Sequence, residues 1–182
     1  SRSMTRAEAA AIFARLLAEK NGDTISTVAN TRFTDIPAHA WYSGYAKYLN
    51  NNGVTYGKSK TIFAPDDAIT RAEFTTVRFF DVYGDGDAEI MEQFSGFNDV
   101  SSGYWAAEYI KYAALHGWIN GYGDGSFHAD REINRAEVIT IVNRLLGREA
   151  DESYIADNLR KLNTFRDMSG KHWAYYAVME AA

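Results

Sequence analysis

The chain has 182 residues, of which 46% are hydrophobic and 24% are charged, a composition that indicates one globular domain with its own core. Its formal net charge of −5 argues against nucleic acid or an anionic membrane surface as the partner. The lack of cysteine excludes a disulfide framework and a thiolate metal site, and no apolar run approaches the roughly 18 residues that membrane insertion needs.

A motif at residues 4–8 recurs at 69–73 and 133–137 and predicts three helix starts. Thr or Asn is the N-cap in each copy, and the Glu three residues later can bond back to it. Such a capping box contributes about 1 kcal/mol. Apolar residues at helical spacing follow the first and third copies. In the middle copy Arg78 and Asp81 interrupt that face, which predicts a shorter or rotated helix.

An arginine occupies the first helical position of every copy, as Arg6, Arg71 and Arg135. A cation at that position faces the positive end of the helix dipole, which costs roughly 0.3 to 1 kcal/mol unless it is compensated. Two explanations are open from the residues alone. The arginine has an internal partner such as an aspartate, or its guanidinium holds an external anion.

In chain order, the first helix is expected to run to about Ala18 and to end at residues 21–23. A polar connector to about Arg32 leads to a Phe-x-Asp motif, and a Trp eight residues after the Phe opens a second helical pattern. Gly53 and Gly117, twelve residues past their Trp, predict the ends of two of these helices. The motif has the same spacing three times: Phe33, Asp35 and Trp41; Phe97, Asp99 and Trp105; and Phe165, Asp167 and Trp173.

A turn-rich loop leads from the Trp helix to the next capping box. Its later copy, residues 121–127, contains three glycines that allow backbone N–H groups to face an anion. The earlier copy, residues 56–63, keeps Gly57 but differs in sequence, so we expect the two loops to bind differently. Residues 148–164 are interpreted as a longer connector. The acidic residues 81–87 are interpreted as a connector turn, because they lack the spacing of a calcium loop.

The motifs divide the chain into repeated units. Phe33 and Phe97 are 64 residues apart, and Phe97 and Phe165 are 68 residues apart. Units of this size stack or close on one another. We expect one domain made of the C-terminal half of a truncated unit (1–32), two complete units (33–96 and 97–164) and the N-terminal half of a further unit (165–182).

In order and spacing, these motifs resemble the S-layer homology domain family. The resemblance implies an all-α fold in which repeats form a pseudo-threefold spindle, with a central three-helix bundle and lateral helical prongs. We expect the Trp173 helix to meet the helix that starts at Thr5 and so to complete the third unit, which would bring the chain ends together. Exchange of the split unit between two chains is the alternative. The motifs that carry the resemblance are Phe97, Asp99, Trp105-Ala106, 121–127 and 133–137.

The resemblance also implies a function. It is that of a non-catalytic module, without metal or cofactor, which attaches an exported protein to the bacterial cell wall or S-layer surface. The implied partner is secondary cell-wall polysaccharide attached to peptidoglycan, bound through a pyruvate-ketal N-acetylmannosamine. One or two working grooves are expected, led by Arg135 and Arg71. Carried over position by position, the ligand-binding residues are Arg6, Arg71, Arg135, Trp41, Trp105, Trp173, Asp35, Asp99, Asp167, Gly57 and Gly121.

The residues by themselves also permit structural interpretations. For each Trp at a helix start, a role as a core anchor is favoured over a role as a platform for a sugar. For each Asp of the Phe-x-Asp motif, a role as a turn former or helix cap is as well supported as a role as an acceptor for sugar hydroxyl groups. Two other functions are open. One is a structural module for protein–protein or lattice contacts. The more distant one is a glycan hydrolase with a carboxylate pair such as Asp99 and Glu137.

Overall fold

The computed structural model describes residues 2–76, 96–165 and 167–181. This part of the chain is built from helices and loops and contains isolated β-bridges but no sheet, so the all-α prediction is confirmed. Arg78, Asp81 and the acidic residues 81–87 lie outside it. None of the described helices has the length and hydrophobicity needed to cross a membrane. The helices are α1 (Arg6–Asn21), α2 (Ser43–Asn51), α3 (Arg71–Thr75), α4 (Ala107–Leu115), α5 (Arg135–Leu145), α6 (Glu152–Asn158) and α7 (Tyr175–Glu180).

The three predicted capping boxes are present at the starts of α1, α3 and α5. The side chains of Thr5, Thr70 and Asn134 each accept a hydrogen bond from the backbone N–H of the Glu three residues on, whose carboxylate bonds back to the cap. The predicted helix ends are also confirmed. α1 ends at Gly22, which has a left-handed φ of 72°, and glycines with positive φ follow α2 and α4 at positions 53 and 117.

α6 corrects the interpretation of residues 148–164 as a plain connector. The side chain of Asp151 accepts a hydrogen bond of 2.8 Å from the N–H of Tyr154 and so starts the helix. Ile155 is its one buried residue. A single apolar contact in a short polar segment is too weak a periodic signal to predict a helix from sequence.

Three backbone hydrogen bonds form a closed ring where the capping motifs meet. The N–H of Met4 donates to the carbonyl of Ile133 (2.9 Å), that of Ile133 to Ile69 (3.0 Å), and that of Ile69 to Met4 (3.0 Å). Each of these buried residues directly precedes an N-cap. The ring therefore lies on a pseudo-threefold axis, and α1, α3 and α5 leave it as the central bundle, where the rings of Phe13 and Phe74 are 4.7 Å apart.

The first N–H of each central helix is satisfied by a neighbouring copy of the motif. A helix leaves its first four N–H groups without partners inside the helix. In each case the acceptor is the carbonyl of the residue three positions before the N-cap of the next copy. The third copy bonds back to the first, so the series closes around the axis. The pairs are Arg6 N–H to Asp67 (2.9 Å), Arg71 N–H to Arg131 (2.9 Å) and Arg135 N–H to Arg2 (3.4 Å).

Each central helix packs against the lateral helix that follows it. The pairs are α1 with α2, α3 with α4, and α5 with α7. The expectation that the Trp173 helix meets α1 is therefore corrected, because α7 packs mainly against α5 and α6. Ala174 and Val178 contact Ala136, and Asn143 donates a hydrogen bond of 2.8 Å to the carbonyl of Ala177. Motif order defines the repeat but not which helices form a pair, so the unit boundaries stay a prediction.

Two glycine loops lead from the lateral helices back to the axis; we call residues 55–63 loop 1 and residues 119–127 loop 2. A Cβ at Gly57 or Gly121 would lie closer than 3.0 Å to the ring of Phe33 or Phe97 and to a carbonyl of its own loop. The aromatic ring of each Phe-x-Asp motif thus lies directly against a glycine, which is why no side chain fits there.

The aspartates of the Phe-x-Asp motif hold the ends of these loops. Asp35 accepts from the N–H groups of Phe63 (2.9 Å) and Ala64 (2.6 Å). Asp99 accepts from the equivalent N–H groups of Phe127 and His128, both at 2.7 Å. These hydrogen bonds fix the return of the chain toward the next capping box and do not cap a helix. The side chain of Asp99 is still 32% exposed, and a role of these carboxylates in ligand binding stays a prediction.

Glu8 joins the third copy to the first. Its carboxylate accepts from the N–H of Thr5 (3.0 Å) and binds the guanidinium of Arg2, and it lies 3.3 Å from the guanidinium of Arg135. The hydrogen bond from Arg2 is the main reason why the pKa of Glu8 is lowered from 4.5 to about 2. Because the folded pKa is the lower one, the stabilisation is present above about pH 4.5 and is lost as the pH falls toward 2.

We predict that Gly121→Ala lowers the free energy of unfolding by roughly 1 to 3 kcal/mol, because the new methyl group collides with the ring of Phe97 and the carbonyl of Ser126. Gly123→Ala is the matched control, since no heavy atom lies within 4 Å of its Cβ position and its φ is not left-handed. It should change stability by less than about 1 kcal/mol. Urea unfolding measures both, and equal effects would contradict the close packing at Gly121.

We predict that Glu8→Gln reduces the loss of stability between about pH 5 and pH 2 by roughly 1 to 3 kcal/mol. Glutamine keeps the capping box but removes the titrating charge. Urea unfolding at a series of pH values measures the effect. Glu19→Gln, an equal charge change at an exposed position of α1, is the control. If both variants followed the wild-type pH profile, the ion pairs of Glu8 would not contribute to folding.

Candidate functional site

Two grooves of the same construction lie between neighbouring copies of the repeat. Groove 1 has a volume of about 480 Å³ and is lined by Arg6, loop 1 and Glu73. Groove 2 has a volume of about 690 Å³ and is lined by the equivalent Arg71, loop 2 and Glu137. A tryptophan completes each lining, Trp105 in groove 1 and Trp173 in groove 2. Each groove therefore combines elements of two successive helix pairs.

Arg71 is a buried cation held on several sides. Its Nε donates to the carbonyl of Phe127 (2.9 Å), one terminal nitrogen donates to the carbonyl of Asn120 (3.1 Å), and the other lies 3.0 Å from Glu137. The guanidinium also lies over the rings of Phe127 (4.5 Å) and Tyr122 (5.2 Å). Burial lowers the pKa of Arg71, although an arginine stays charged at neutral pH.

Arg6 repeats this arrangement in groove 1. Its Nε donates to the carbonyl of Phe63 (2.8 Å), its guanidinium lies 5.2 Å from the centre of the Phe63 ring, and a terminal nitrogen lies 3.6 Å from Glu73. The internal partner of each arginine is thus the capping-box glutamate of the next copy rather than an aspartate. This carboxylate compensates the unfavourable helix-dipole position of the arginine.

Each capping-box glutamate in the grooves binds a second cation. Glu137 also pairs with Arg131, and Glu73 pairs with Lys58 at 2.6 Å. In groove 1 the sequence position equivalent to Arg131 is Asp67, so the second cation comes from loop 1 instead. The grooves therefore carry more positive than negative side chains, in a chain whose net charge is −5.

Tyr122 gives groove 2 a feature of its own. Its hydroxyl donates to Glu137 (3.1 Å), and the guanidinium groups of Arg71 and Arg131 lie 5.2 Å and 5.6 Å from the centre of its ring. Burial raises the pKa of Tyr122, so the phenol remains a neutral hydrogen-bond donor at neutral pH. The equivalent position in loop 1 is Lys58, which makes the two grooves chemically different.

The interpretation of the three tryptophans as core anchors is wrong. Trp41, Trp105 and Trp173 are 56%, 60% and 65% exposed. The buried residue at the start of the second and third lateral helices is the alanine that follows the Trp, Ala106 or Ala174. A small residue at that point lets the lateral helix approach the central helix, and the indole is left at the surface. Trp105 and Trp173 line the grooves, whereas Trp41 lines neither of them.

The remaining predicted residues divide into those in the grooves and those that support them. Gly57 and Gly121 line grooves 1 and 2, respectively. Asp35 and Asp99 hold the loops as described above, and Asp167 is exposed. Arg135 is half exposed and lies beside Glu8, and among the described residues no loop carbonyl covers it.

Sequence analysis did not identify four cationic or phenolic groups in the grooves: Lys58, Tyr122, Arg131 and Arg144. The signal for Arg131 was present three residues before the N-cap, where the copies carry Arg2, Asp67 and Arg131. Within the described ranges no three His, Cys, Asp or Glu side chains form a metal-binding group. The chemistry that the grooves offer is anion recognition by arginine beside an exposed indole.

Residues 32–75 and 96–139 match the profile of the S-layer homology domain. Over 188 residues the chain is 32% identical to cell surface glycoprotein 1 of Acetivibrio thermocellus, which covers 100% of this chain and 8% of that protein. Over 183 residues it is 32% identical to the cellulosome-anchoring protein of the same organism, covering 98% of this chain and 38% of that protein.

A third relative is the surface-layer 125 kDa protein of Lysinibacillus sphaericus, with 30% identity over 151 residues, 80% of this chain and 12% of that protein. The chain spans far less than two thirds of the length of each of these relatives. The two matched segments begin eleven residues before α2 and α4, next to the Phe-x-Asp motifs, and extend through loops 1 and 2 to the capping boxes of α3 and α5. The chain carries two tandem copies of this domain and belongs to the S-layer homology domain family.

Proposed function

We propose that the chain is a non-catalytic module that anchors a protein to the bacterial cell surface by binding secondary cell-wall polysaccharide in grooves 1 and 2. One observation carries this proposal: in both grooves a fixed arginine and a second cation share one carboxylate beside an exposed tryptophan. The relatives named for anchoring and for surface layers support the same role. The site of action is then the outer face of the cell wall.

The ligand that we propose is a glycan residue with a pyruvate ketal on N-acetylmannosamine. The ketal carries a carboxylate, which suits a groove with surplus positive charge. Arg71 has five N–H donors, and three of these directions are used by Asn120, Phe127 and Glu137. The two remaining N–H groups can donate to a carboxylate of the ligand while the three internal hydrogen bonds stay in place. Arg131, whose side chain is 41% exposed, can approach the same anion from the solvent side.

The tryptophans supply the apolar part of recognition. A sugar ring has an apolar face of C–H groups that stacks on an aromatic ring, while its hydroxyl groups remain free for polar partners. Trp105 and Trp173 are exposed, and each stands in the lining of a groove that already holds a cation pair. An indole and a cation together select a carboxylated sugar over a neutral one.

The contacts of Asp99 and Glu137, the carboxylates considered as a hydrolytic pair, support a non-catalytic role. Asp99 uses both oxygens on loop N–H groups, and Glu137 serves the capping box and two arginines. A hydrolase needs one carboxyl group that donates a proton and a second that acts as nucleophile or base. Groups fixed in these structural contacts are poorly suited to either task.

We predict that the protein binds pyruvylated wall polysaccharide and that removal of the ketal weakens binding at least tenfold. Trp173→Ala and Arg131→Gln should each weaken binding to groove 2 about tenfold, since they remove the stacking surface and the exposed cation. Glu137 keeps Arg71 as its partner in Arg131→Gln, so the fold is preserved. Isothermal titration calorimetry measures all of these.

Tyr154→Ala removes a comparably exposed aromatic residue, 57% accessible, from α6 outside both grooves and should leave binding unchanged. Equal affinity for the ketal-free polymer would contradict the carboxylate contact. Full affinity in a Trp105→Ala/Trp173→Ala variant would place the ligand elsewhere, and absence of binding by a folded wild-type protein would contradict the function.

A lattice or protein-contact role is the second candidate. It is favoured by exposed apolar residues on and around α6 and α7. If this surface mediates assembly, sedimentation equilibrium should show self-association that a Tyr154→Ala/Phe165→Ala variant abolishes. A concentration-independent monomer would rule against assembly by this fragment. The residues concerned are Tyr154, Leu159, Phe165 and Tyr176.

A further inference from the structure

We propose that Arg144 makes groove 2 a site for two negative charges, so that its preferred ligand is a glycan segment with two ketal-type carboxylates. The inference rests on the proposed function and extends it, because it states how many charges the ligand carries and which groove reads them. Groove 1 is then a site for a single carboxylate.

The first argument is the position of Arg144 in the groove. Arg144 and Glu137 both lie on α5 and both line groove 2, with Thr140 and Ile141 between them in the same lining. Seven residues at a rise of 1.5 Å place Arg144 about 10 Å along the helix axis from Glu137. A cation at this distance cannot share the carboxylate that Arg71 and Arg131 hold. It lies within reach of the next sugar along a bound chain.

The second argument is the charge balance of groove 2. Arg71 and Arg131 share Glu137, so the inner cluster has one surplus positive charge. Arg144 is exposed, and in the described part of the chain no carboxylate forms an ion pair with it. The lining of groove 2 therefore offers two surplus positive charges at separate points.

The third argument is the contrast with groove 1. Among the described residues, its charged lining residues are Arg6, Lys58 and Glu73, which leave one surplus positive charge. Ten residues past the N-cap, where the third copy has Arg144, the middle copy has Phe80, which lies outside the described residues. The sequence therefore has no cation in the middle copy at the register of Arg144.

Arg144 also lies in the last turn of α5, where a cation interacts favourably with the helix dipole. That role concerns stability and acts equally on every ligand. Recognition of a second carboxylate instead changes the affinity for a two-charge ligand relative to a one-charge ligand. The ratio of two dissociation constants separates the two roles.

The test uses two probes and three proteins, all with Trp105→Ala to weaken groove 1. The probes are the pyruvate-ketal N-acetylmannosamine monosaccharide and a fragment of pyruvylated wall polysaccharide with two ketal residues. The proteins are the parent, Arg144→Gln and the control Arg148→Gln, which makes the same charge change just beyond the end of α5 and outside the groove lining. Calorimetry gives each dissociation constant.

We expect the parent to bind the two-ketal fragment about tenfold more tightly than the monosaccharide, and Arg144→Gln to remove that advantage while its affinity for the monosaccharide stays within about twofold. Arg148→Gln should behave as the parent does. If Arg144→Gln weakens both probes equally or neither, the second charge site is refuted while the proposed function stands. If neither the folded parent nor the folded wild-type protein, titrated beside it, binds either probe, the proposed function fails and the inference falls with it.

Discussion

The N–H and C=O groups of Met4, Ile69 and Ile133 bond one another in a closed ring, and this ring fixes three helix starts against each other. The arginine and the capping-box glutamate of each groove lie within four positions of it. The N-caps follow directly, the arginines come next, and the glutamates stand two residues beyond the arginines. Because buried backbone groups must find partners, the ring and the cyclic bonds to the first N–H of each helix leave little freedom in how the copies meet.

The glutamate of the capping box has two structural roles, one in its own copy and one toward the preceding copy. Within its own copy it satisfies the N-cap, and toward the preceding copy it neutralises a buried arginine. A buried ion pair gains little net stability, because desolvation of both charges offsets their attraction. Its effect is on position, since the guanidinium of Arg71 is fixed by carbonyls, rings and a carboxylate before any ligand arrives. A fixed donor loses less entropy on binding than a mobile one.

Much of the fold could be predicted from local patterns, because caps and turns are decided by a few neighbouring residues. The capping boxes at Thr5, Thr70 and Asn134 are of this kind, as are the glycine stops. The pairing of α7 with α5 depends on three-dimensional closure, which a one-dimensional repeat does not specify. The prediction that the tryptophans are buried was wrong for a related reason. A shift of one residue at the start of a helix decides whether the indole or the following alanine faces the core.

Only part of the candidate site could be predicted from the sequence. The part that could not be predicted is the pairing of charged side chains from different copies. Arginine in the capping box recurs in all three copies, so repetition drew attention to it. The second cation does not recur in one place, since Arg131 stands before the N-cap in groove 2 whereas Lys58 enters from loop 1 in groove 1. Only the structure brings these two positions to equivalent carboxylates. Loop 1 differs in sequence from loop 2, and its Lys58 supplies the second cation that Asp67, at the position of Arg131, cannot supply.

Under the proposed function, two unequal grooves on one module act together on a repeating polymer. Once one groove is occupied, a second site on the same chain is filled as an intramolecular event, so modest affinities reinforce each other. Each groove has a buried arginine and a second cation of similar exposure, Lys58 at 42% in groove 1 and Arg131 at 41% in groove 2. Groove 2 adds the exposed Arg144, so under the proposed function its affinity is the more sensitive to ionic strength. The pseudo-threefold frame repeats the geometry of a site while substitutions around it change the charge that each copy presents.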